Sequence, residues 1–265
     1  MPTRARIRTV ALPTEHGGWG LTLEPVALGL LVAPSLTGAF LALAAVAAFL
    51  ARHPLKIVAG DRRRRQRRFP RTALAEKFAL LYSLIAAASF VGALLTAADH
   101  KFLYVVAFAA PFAAVQLYFD GRGHSRKLLP ELAGSIAMAA TAACVALAAG
   151  WTLAPALALS AVLAARFLPS ILYVRAMLTR LHGKTVAPLP PIIAHVAGLA
   201  CVVALVVIKL LPLISLLPFT VMLLRCARGL YAPREDVTAR RIGFGEIGYG
   251  TLTVLLIAAG QQLGF

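Results

Sequence analysis

Residues 73–97, ALAEKFALLYSLIAAASFVGALLTA, decide the fold class of this chain. From Phe78 to Ala97 the stretch carries no charged side chain. About 20 helical residues cross a hydrocarbon core of roughly 30 Å. The run is continuously apolar and does not alternate between apolar and polar residues, so it predicts a transmembrane helix and not a strand of a membrane barrel.

Similar apolar runs lie on both sides of this stretch. The further predicted spans are residues 19–33, 37–51, 102–119, 128–149, 153–174, 192–208, 211–224 and 242–263. The 265-residue chain is 60% hydrophobic and only 14% charged, with a mean hydropathy of +0.81, which a soluble domain does not show. We predict an all-α integral membrane protein of about nine transmembrane helices. Its first, second and eighth spans are short, so tilted, broken or re-entrant segments remain open there.

The basic residues fall on one side of this arrangement. With the N-terminus in the cytoplasm, 25 of the 27 Lys and Arg residues lie on the cytoplasmic side, and only Lys101 and Lys209 lie outside. Cytoplasmic loops carry such an excess in membrane proteins. We predict a cytoplasmic N-terminal segment, residues 1–18, then one nine-helix domain, residues 19–265, that ends outside. The outer loops are very short, so a functional site is expected at the cytoplasmic face.

A net charge of +17 also raises the question of nucleic acid. The charge lies in the loops of a membrane protein, and no nucleic-acid motif accompanies it. The expected partners are therefore membrane lipids, through their anionic headgroups, and no nucleic acid. Cys144, Cys201 and Cys226 lie in or beside apolar runs without metal-ligand spacing, so they are interpreted as small hydrophobic residues. No metal site is predicted from them.

Three carboxylates lie in or beside apolar spans, where a charge is costly and usually marks a cavity or a partner. Glu24 precedes Pro25 in the first span, Glu131 begins the fifth, and Glu246 lies in the first turns of the ninth. A carboxylate gains nothing from anionic headgroups and needs a cation or a proton. These three are the candidate catalytic residues, as a base or as groups that orient an acceptor.

Basic and aromatic side chains cluster at the predicted cytoplasmic ends of the same spans. They predict a mostly basic pocket with apolar walls, suited to an anionic head that carries an apolar tail. The candidate ligand-binding residues are Glu15, His16, Arg52, His53, Lys56, Tyr118, Arg126, Lys127, Arg166, Tyr173, Arg175, Lys184 and Tyr249. Pro54 is expected to break the second span beside the pocket and to expose backbone groups there.

Other interpretations stand beside the pocket. Glu15 and His16, in the glycine-rich start of the first span, could cap and anchor that helix. Arg225 and Arg228 are expected to extend to lipid headgroups. His195 is interpreted as a hydrogen-bonding group between helices. The arginine-rich residues 62–68 are interpreted as a topological anchor.

Two motifs carry a family resemblance. Residues 13–20, PTEHGGWG, and residues 167–175, FLPSILYVR, resemble the YwiC-like family of bacterial membrane proteins. The resemblance extends over most of the chain. It implies a multi-pass protein of the bacterial cytoplasmic (inner) membrane.

A more distant resemblance concerns the fold. Nine spans with long polar loops after the second, fourth and sixth resemble the UbiA-type intramembrane prenyltransferases. Residues 117–120, LYFD, with 125–127, SRK, and 129–134, LPELAG, are similar to their loop between spans four and five. The resemblance implies a nine-helix bundle around a cavity that opens to the cytoplasm and to lipid. The implied ligand is an isoprenoid, a quinone or a prenyl diphosphate.

The chain departs from that family in its acidic motifs. UbiA-type enzymes hold Mg²⁺ against the diphosphate with two Asp-rich motifs, because diphosphate leaves poorly unless its charge is neutralised. Here the loop between the second and third spans holds a single aspartate, Asp61, and residues 167–190 hold no carboxylate. Either cations such as Arg52, Lys56, Arg175 and Lys184 replace the metal, or the reaction has been lost.

Three functions therefore remain open from the sequence. The first is a UbiA-like protein that binds an anionic amphiphile, as a divergent prenyltransferase or without catalysis. The second is a transporter of a small anion or lipid, although no internal repeat supports it. The third is a noncatalytic membrane scaffold or assembly factor.

Overall fold

The computed structural model describes residues 3–13, 16–65, 71–231 and 238–264, and this part of the chain contains helices and no strand. The helices are α1 (Thr3–Ala11), α2 (His16–Val32), α3 (Leu36–Arg63), α4 (Arg71–Thr96), α5 (Phe102–Gly121), α6 (Leu128–Ala148), α7 (Leu153–Leu181), α8 (Leu189–Val207), α9 (Leu216–Tyr231) and α10 (Ala239–Leu263). A 3-10 turn, Leu213–Ser215, precedes α9.

Helices α2 to α10 correspond one to one to the nine predicted spans. Within the described residues, eight segments are long and apolar enough to cross a membrane, namely α3 to α8, Leu213–Tyr231 and α10. Helix α2 is apolar but has 17 residues. The prediction of an all-α integral membrane bundle is confirmed.

Successive helices run in opposite directions. The hydroxyls of Thr37 and Thr96 lie 3.0 Å apart, which joins the start of α3 to the end of α4. At the opposite end, Arg63 Nη1 donates to the Gly121 carbonyl at 3.4 Å, which joins the ends of α3 and α5. Helices α7 and α9 also end there. We call this the basic end, because the basic residues of α3, α7 and α9 gather at it.

Helix α6 occupies the centre of the bundle and packs against α2, α3, α5 and α7. Its sequence is rich in alanine, and most of its residues are buried. Small side chains let helices approach closely, which is how helices in a membrane gain packing contacts. Gly29 and Gly38 both lie against Val145, and a Cβ at either would be 2.9 Å from that side chain. In contrast, α4 and α5 expose large apolar side chains such as Leu95 and Phe108, which suits a face toward lipid.

The prediction for Pro54 is wrong. Pro54 lies buried inside α3, which continues without a break to Arg63. One proline removes a single helical hydrogen bond, and the bonds on either side together with packing against α1 and α4 keep the helix intact. Helices α7 and α9 likewise extend beyond their apolar runs, to Leu181 and Tyr231. Arginine and lysine favour helix as strongly as most apolar residues, so a helix need not end where hydropathy falls.

The N-terminal segment contains the amphipathic helix α1. Its Val10 packs with Ile57 and Val58 of α3 and with Ala75 of α4. The ring of His53 contacts the Thr9 carbonyl at 3.1 Å through Nε2. Helix α1 therefore lies against the basic end of α3, beside several of the predicted ligand-binding residues.

Candidate functional site

Four charged side chains from four helices meet inside the bundle. Arg166 Nε of α7 lies 3.0 Å from the Glu24 carboxylate of α2. Arg225 Nη1 of α9 lies 2.6 Å from the Glu246 carboxylate of α10. Arg166 Nη2 joins the two pairs, because it donates to the Glu246 backbone carbonyl at 2.7 Å and lies 4.0 Å from the carboxylate of that residue. We call these four residues the buried ionic network. Two cations balance two anions in it, which offsets part of the cost of burying charge.

Gly250 on α10 leaves the space in which Glu24 and Arg166 meet. A Cβ at Gly250 would overlap with the Glu24 carboxylate and would lie 2.7 Å from Arg166 Nη2. Only the bare glycine backbone leaves room for both charged groups at this point. The close approach of α2, α7 and α10 therefore depends on this position.

The second pair has an aromatic environment. The central carbon of the Arg225 guanidinium lies over two aromatic rings, 4.3 Å from the centroid of Tyr173 and 4.4 Å from the centroid of Tyr249. A guanidinium over an aromatic face is stabilised by the ring quadrupole. The prediction that Arg225 reaches lipid headgroups is therefore wrong, since its side chain is 15% exposed and pairs with Glu246. Arg228, one turn later, is exposed.

His195 contacts the same aromatic group. Its ring meets Tyr173 edge to face, with centroids 6.2 Å apart. The ring nitrogen Nδ1 donates to the Pro191 carbonyl at 2.8 Å. Because both residues belong to α8, the hydrogen bond lies within one helix and not between helices as predicted. His195 is nevertheless buried beside the network.

The buried ionic network lies deeper along its helices than predicted. Glu24 occupies the middle of α2. Arg166 is 15 residues before the end of α7, which is roughly 22 Å at 1.5 Å per residue. Both residues were predicted near the cytoplasmic ends of their spans. For Arg166 the difference arises because α7 continues to Leu181, beyond the predicted end of the sixth span at residue 174.

A second cluster lies at the basic end. Arg52 of α3 forms an ion pair with the buried Asp120 of α5, and Lys56 Nζ lies 3.9 Å from the same carboxylate. Gln116, with its amide oxygen turned toward Arg52, accepts hydrogen bonds from Nη1 and Nη2 at 3.0 Å. Neither Asp120 nor Gln116 was among the candidate site residues. The signal for Asp120 was its position as a lone carboxylate at the end of an apolar span.

Arg52 and Lys56 also line a shallow depression, together with Pro13, Phe49 and His53. We call this the basic depression. Beside it, Trp19 packs edge-on against Phe49, with centroids 5.3 Å apart, and donates its Nε1–H to the Pro13 carbonyl at 3.3 Å. The glycine-rich N-terminal motif thus helps to form the wall of the basic depression. Glu15 of that motif lies outside the described residues, and His16 is the first residue of α2.

The other predicted residues lie apart from both groups. Arg175 Nη1 pairs with Glu131 at 2.8 Å and donates to the Arg126 carbonyl at 2.9 Å. This third cluster joins α7 to the start of α6. Three further candidates are exposed at the surface, namely Tyr118, Lys127 and Lys184. The structure therefore divides the predicted pocket into three groups.

Within residues 3–13, 16–65, 71–231 and 238–264, no three His, Cys, Asp or Glu side chains lie close enough to hold a metal ion. Asp61 accepts a hydrogen bond from Thr72 at 2.6 Å.

Taken together, the helices and the intramembrane charges define a multi-pass helical membrane protein. The chain matches the family described as YwiC-like protein over residues 12–146, and it belongs to that family. No curated protein and no solved structure matches the chain. The matched residues include the basic depression, Asp120 and Glu24, whereas Arg166, Arg225 and Glu246 lie beyond them.

Proposed function

We propose that the protein binds an anionic amphiphile at the basic depression, on the cytoplasmic side of a bacterial inner membrane. The observation that carries this proposal is the composition of the depression. It combines the cations Arg52 and Lys56 with the imidazole of His53 and the apolar side chains of Pro13 and Phe49. An anionic head and an apolar tail need both kinds of surface side by side.

The Arg52 guanidinium is held in place before any ligand arrives. Asp120 and Gln116 both contact it, so little side-chain entropy is lost when it binds an anion. The Nε and Nη2 groups of Arg52 already donate to Asp120, so Arg52 and Lys56 attract an anionic head mainly through their positive charge. The apolar tail would pass beside Phe49 and Trp19 toward lipid. The ligand class is an isoprenoid, a quinone or a prenyl diphosphate.

Prenyl transfer is a narrower form of this proposal. It would require Arg52, Lys56 and other cations to neutralise the leaving diphosphate in place of carboxylate-held Mg²⁺. Amphiphile binding does not depend on that step. Binding of the amphiphile is therefore tested first, and prenyl transfer is assayed once a ligand is known.

Transport of a small anion or lipid is the second candidate, and the buried ionic network favours it. Charged residues at mid-helix in transmembrane segments mark the paths of ions and substrates in many transporters. Arg166 joins Glu24 and Glu246 on three different helices, so relative movement of these helices would break and remake ion pairs.

The test is native mass spectrometry with lipidomics on the detergent-purified protein, followed by titration with a prenyl diphosphate. We expect a co-purified isoprenoid or quinone that prenyl diphosphate displaces. The variant Arg52→Gln/Lys56→Gln should lose most of this binding. Lys56→Gln alone, which leaves the Arg52–Asp120 pair intact, should weaken it in a fully folded protein.

The matched control is Arg64→Gln/Arg65→Gln, which removes the same charge from two exposed residues at the end of α3. It should bind like the wild type. A wild-type protein that carries no amphiphile and ignores prenyl diphosphate contradicts the proposal and favours transport or a scaffold. Equal loss of binding in the control would show that binding depends on general surface charge and not on the basic depression.

A further inference from the structure

Buried polar atoms without hydrogen-bond partners concentrate at one place in the described part of the chain. Nine such side-chain atoms occur, and eight of them belong to the buried ionic network, to Ser170 or to His195. Ser170 follows Arg166 by one helical turn and precedes Tyr173 by three residues, so it shares their face of α7. Four of the eight, on Glu24, Arg166 and Glu246, lie within 4.0 Å of an oppositely charged group. The other four belong to Arg225, Ser170 and His195, and folded proteins leave few buried polar atoms unpaired.

Arg225 contributes two of these atoms. Its Nη1 faces Glu246, whereas Nε and Nη2 are buried without a hydrogen-bond partner among the described residues. The Nε–H and Nη2–H groups form one edge of the guanidinium and point in parallel. That edge binds two oxygens of a phosphate or carboxylate at once. The rings of Tyr173 and Tyr249 both contact the guanidinium, with centroids 4.3 and 4.4 Å from its central carbon, and these contacts restrict its movement.

The contact between Arg225 and Glu246 is close but badly aligned. Nη1 lies 2.6 Å from Oε1, yet neither Glu246 oxygen has the alignment of a hydrogen bond. Arg166 differs, because its Nη2 donates to the Glu246 backbone carbonyl at 2.7 Å. Arg166 is therefore anchored to backbone, whereas Arg225 meets its counterion through charge alone.

We propose that the Nε–Nη2 edge of Arg225 is an internal binding site for a phosphate group, and that Glu246 competes with this ligand for the guanidinium. A phosphate would fill the two empty hydrogen-bond positions that the carboxylate leaves. The site lies on α9 and is distinct from the basic depression on α3, so it stands without the proposed function. Since Nε and Nη2 are buried, a phosphate reaches them only if the groups that cover them move. Inorganic phosphate and the headgroup of a phosphate lipid share this chemistry.

The test uses the full-length protein in a maltoside detergent, which carries no phosphate of its own, and two probes. Inorganic phosphate is titrated calorimetrically, and phosphatidic acid binding is measured by native mass spectrometry. Arg225→Lys keeps the charge beside the two rings but lacks the paired donors, so it should weaken binding about tenfold. Glu246→Gln removes the competitor and should strengthen binding. If Arg225 and Glu246 formed only a structural ion pair, both substitutions would destabilise the protein and neither would strengthen binding. Opposite effects of the two variants on binding therefore support the proposed site.

The matched control is Arg228→Lys, an exposed position on the same helix, which should bind both probes like the wild type. Binding of inorganic phosphate supports a free anion as the ligand, and binding of phosphatidic acid alone supports a lipid headgroup. The proposal is overturned if neither probe binds, if Arg225→Lys binds as tightly as the wild type, or if Glu246→Gln weakens binding. Arg52→Gln/Lys56→Gln should leave phosphate binding at Arg225 unchanged. The experiment can therefore contradict the Arg225 site without contradicting the basic depression, and the reverse.

Discussion

The guanidinium of Arg166 on α7 lies 3.0 Å from the carboxylate of Glu24 on α2, and the two side chains are 3% and 9% exposed. A buried ion pair contributes little net stability compared with well-packed apolar residues, because both charges lose their hydration. Removal of one partner is different, since it leaves an uncompensated charge inside the protein. The pair therefore fixes how α2 and α7 pack, whatever ligand the protein binds.

We expect Glu24→Gln to lower the free energy of unfolding by about 3 kcal/mol, because Arg166 then lacks its nearest counterion. Arg166→Gln should cost a similar amount. The double variant should lose less than the sum of the two, since neither charge remains to be compensated. Denaturant unfolding in a defined detergent measures all three values.

The exposed pair between Arg62 and Glu76 provides the control. Its atoms lie 3.6 Å apart, and the Arg62 side chain is 75% exposed. Glu76→Gln should change the free energy of unfolding by less than about 1 kcal/mol, because water screens such pairs. Additive effects of Glu24→Gln and Arg166→Gln would contradict a direct interaction between the two residues.

Gly250→Ala should disrupt the same pair from a third helix. Its Cβ would overlap with the Glu24 carboxylate and approach Arg166, so we expect a loss of about 1–3 kcal/mol of stability. Gly248→Ala is the matched control on α10, since a Cβ there meets nothing within 4 Å. That change should be neutral or should stabilise by up to about 1 kcal/mol, because alanine favours helix over glycine. Thermal melting that ranks Gly250→Ala at or above Gly248→Ala would contradict the close approach of α10 to the pair.

The nine apolar runs predicted most of the helix boundaries to within a few residues. Hydropathy records which residues prefer lipid, and that preference determines the length of each run. It does not record where a helix stops once the chain enters water. Helix α3 continues through Pro54 to Arg63, because helix propensity and packing against α4 act beyond the apolar run. The basic residues of this segment were therefore assigned to a loop.

The sequence also selected most members of the buried ionic network but not their pairing. Glu24, Arg166 and Glu246 stood out because a charge in an apolar run needs a partner. Which residues pair depends on the rotation of each helix and on its neighbours, and local sequence does not specify either. Arg225 was assigned to lipid headgroups for this reason, although Tyr173 and its neighbours hold it inside the bundle.

The orientation of the bundle gives the last prediction. From the Lys and Arg excess we expect the basic end to lie in the cytoplasm and residues at the opposite end to face outside. His100 and His124 are both exposed and lie at opposite ends of α5. The experiment uses a Cys201→Ser background, because Cys201 is exposed whereas Cys144 and Cys226 are buried. In this background, a membrane-impermeant maleimide added to intact cells should label His100→Cys. His124→Cys should react only after the membrane is opened. Labelling of His124→Cys in intact cells would invert the orientation and move the basic depression to the outer face, where a cytoplasmic amphiphile could not reach it.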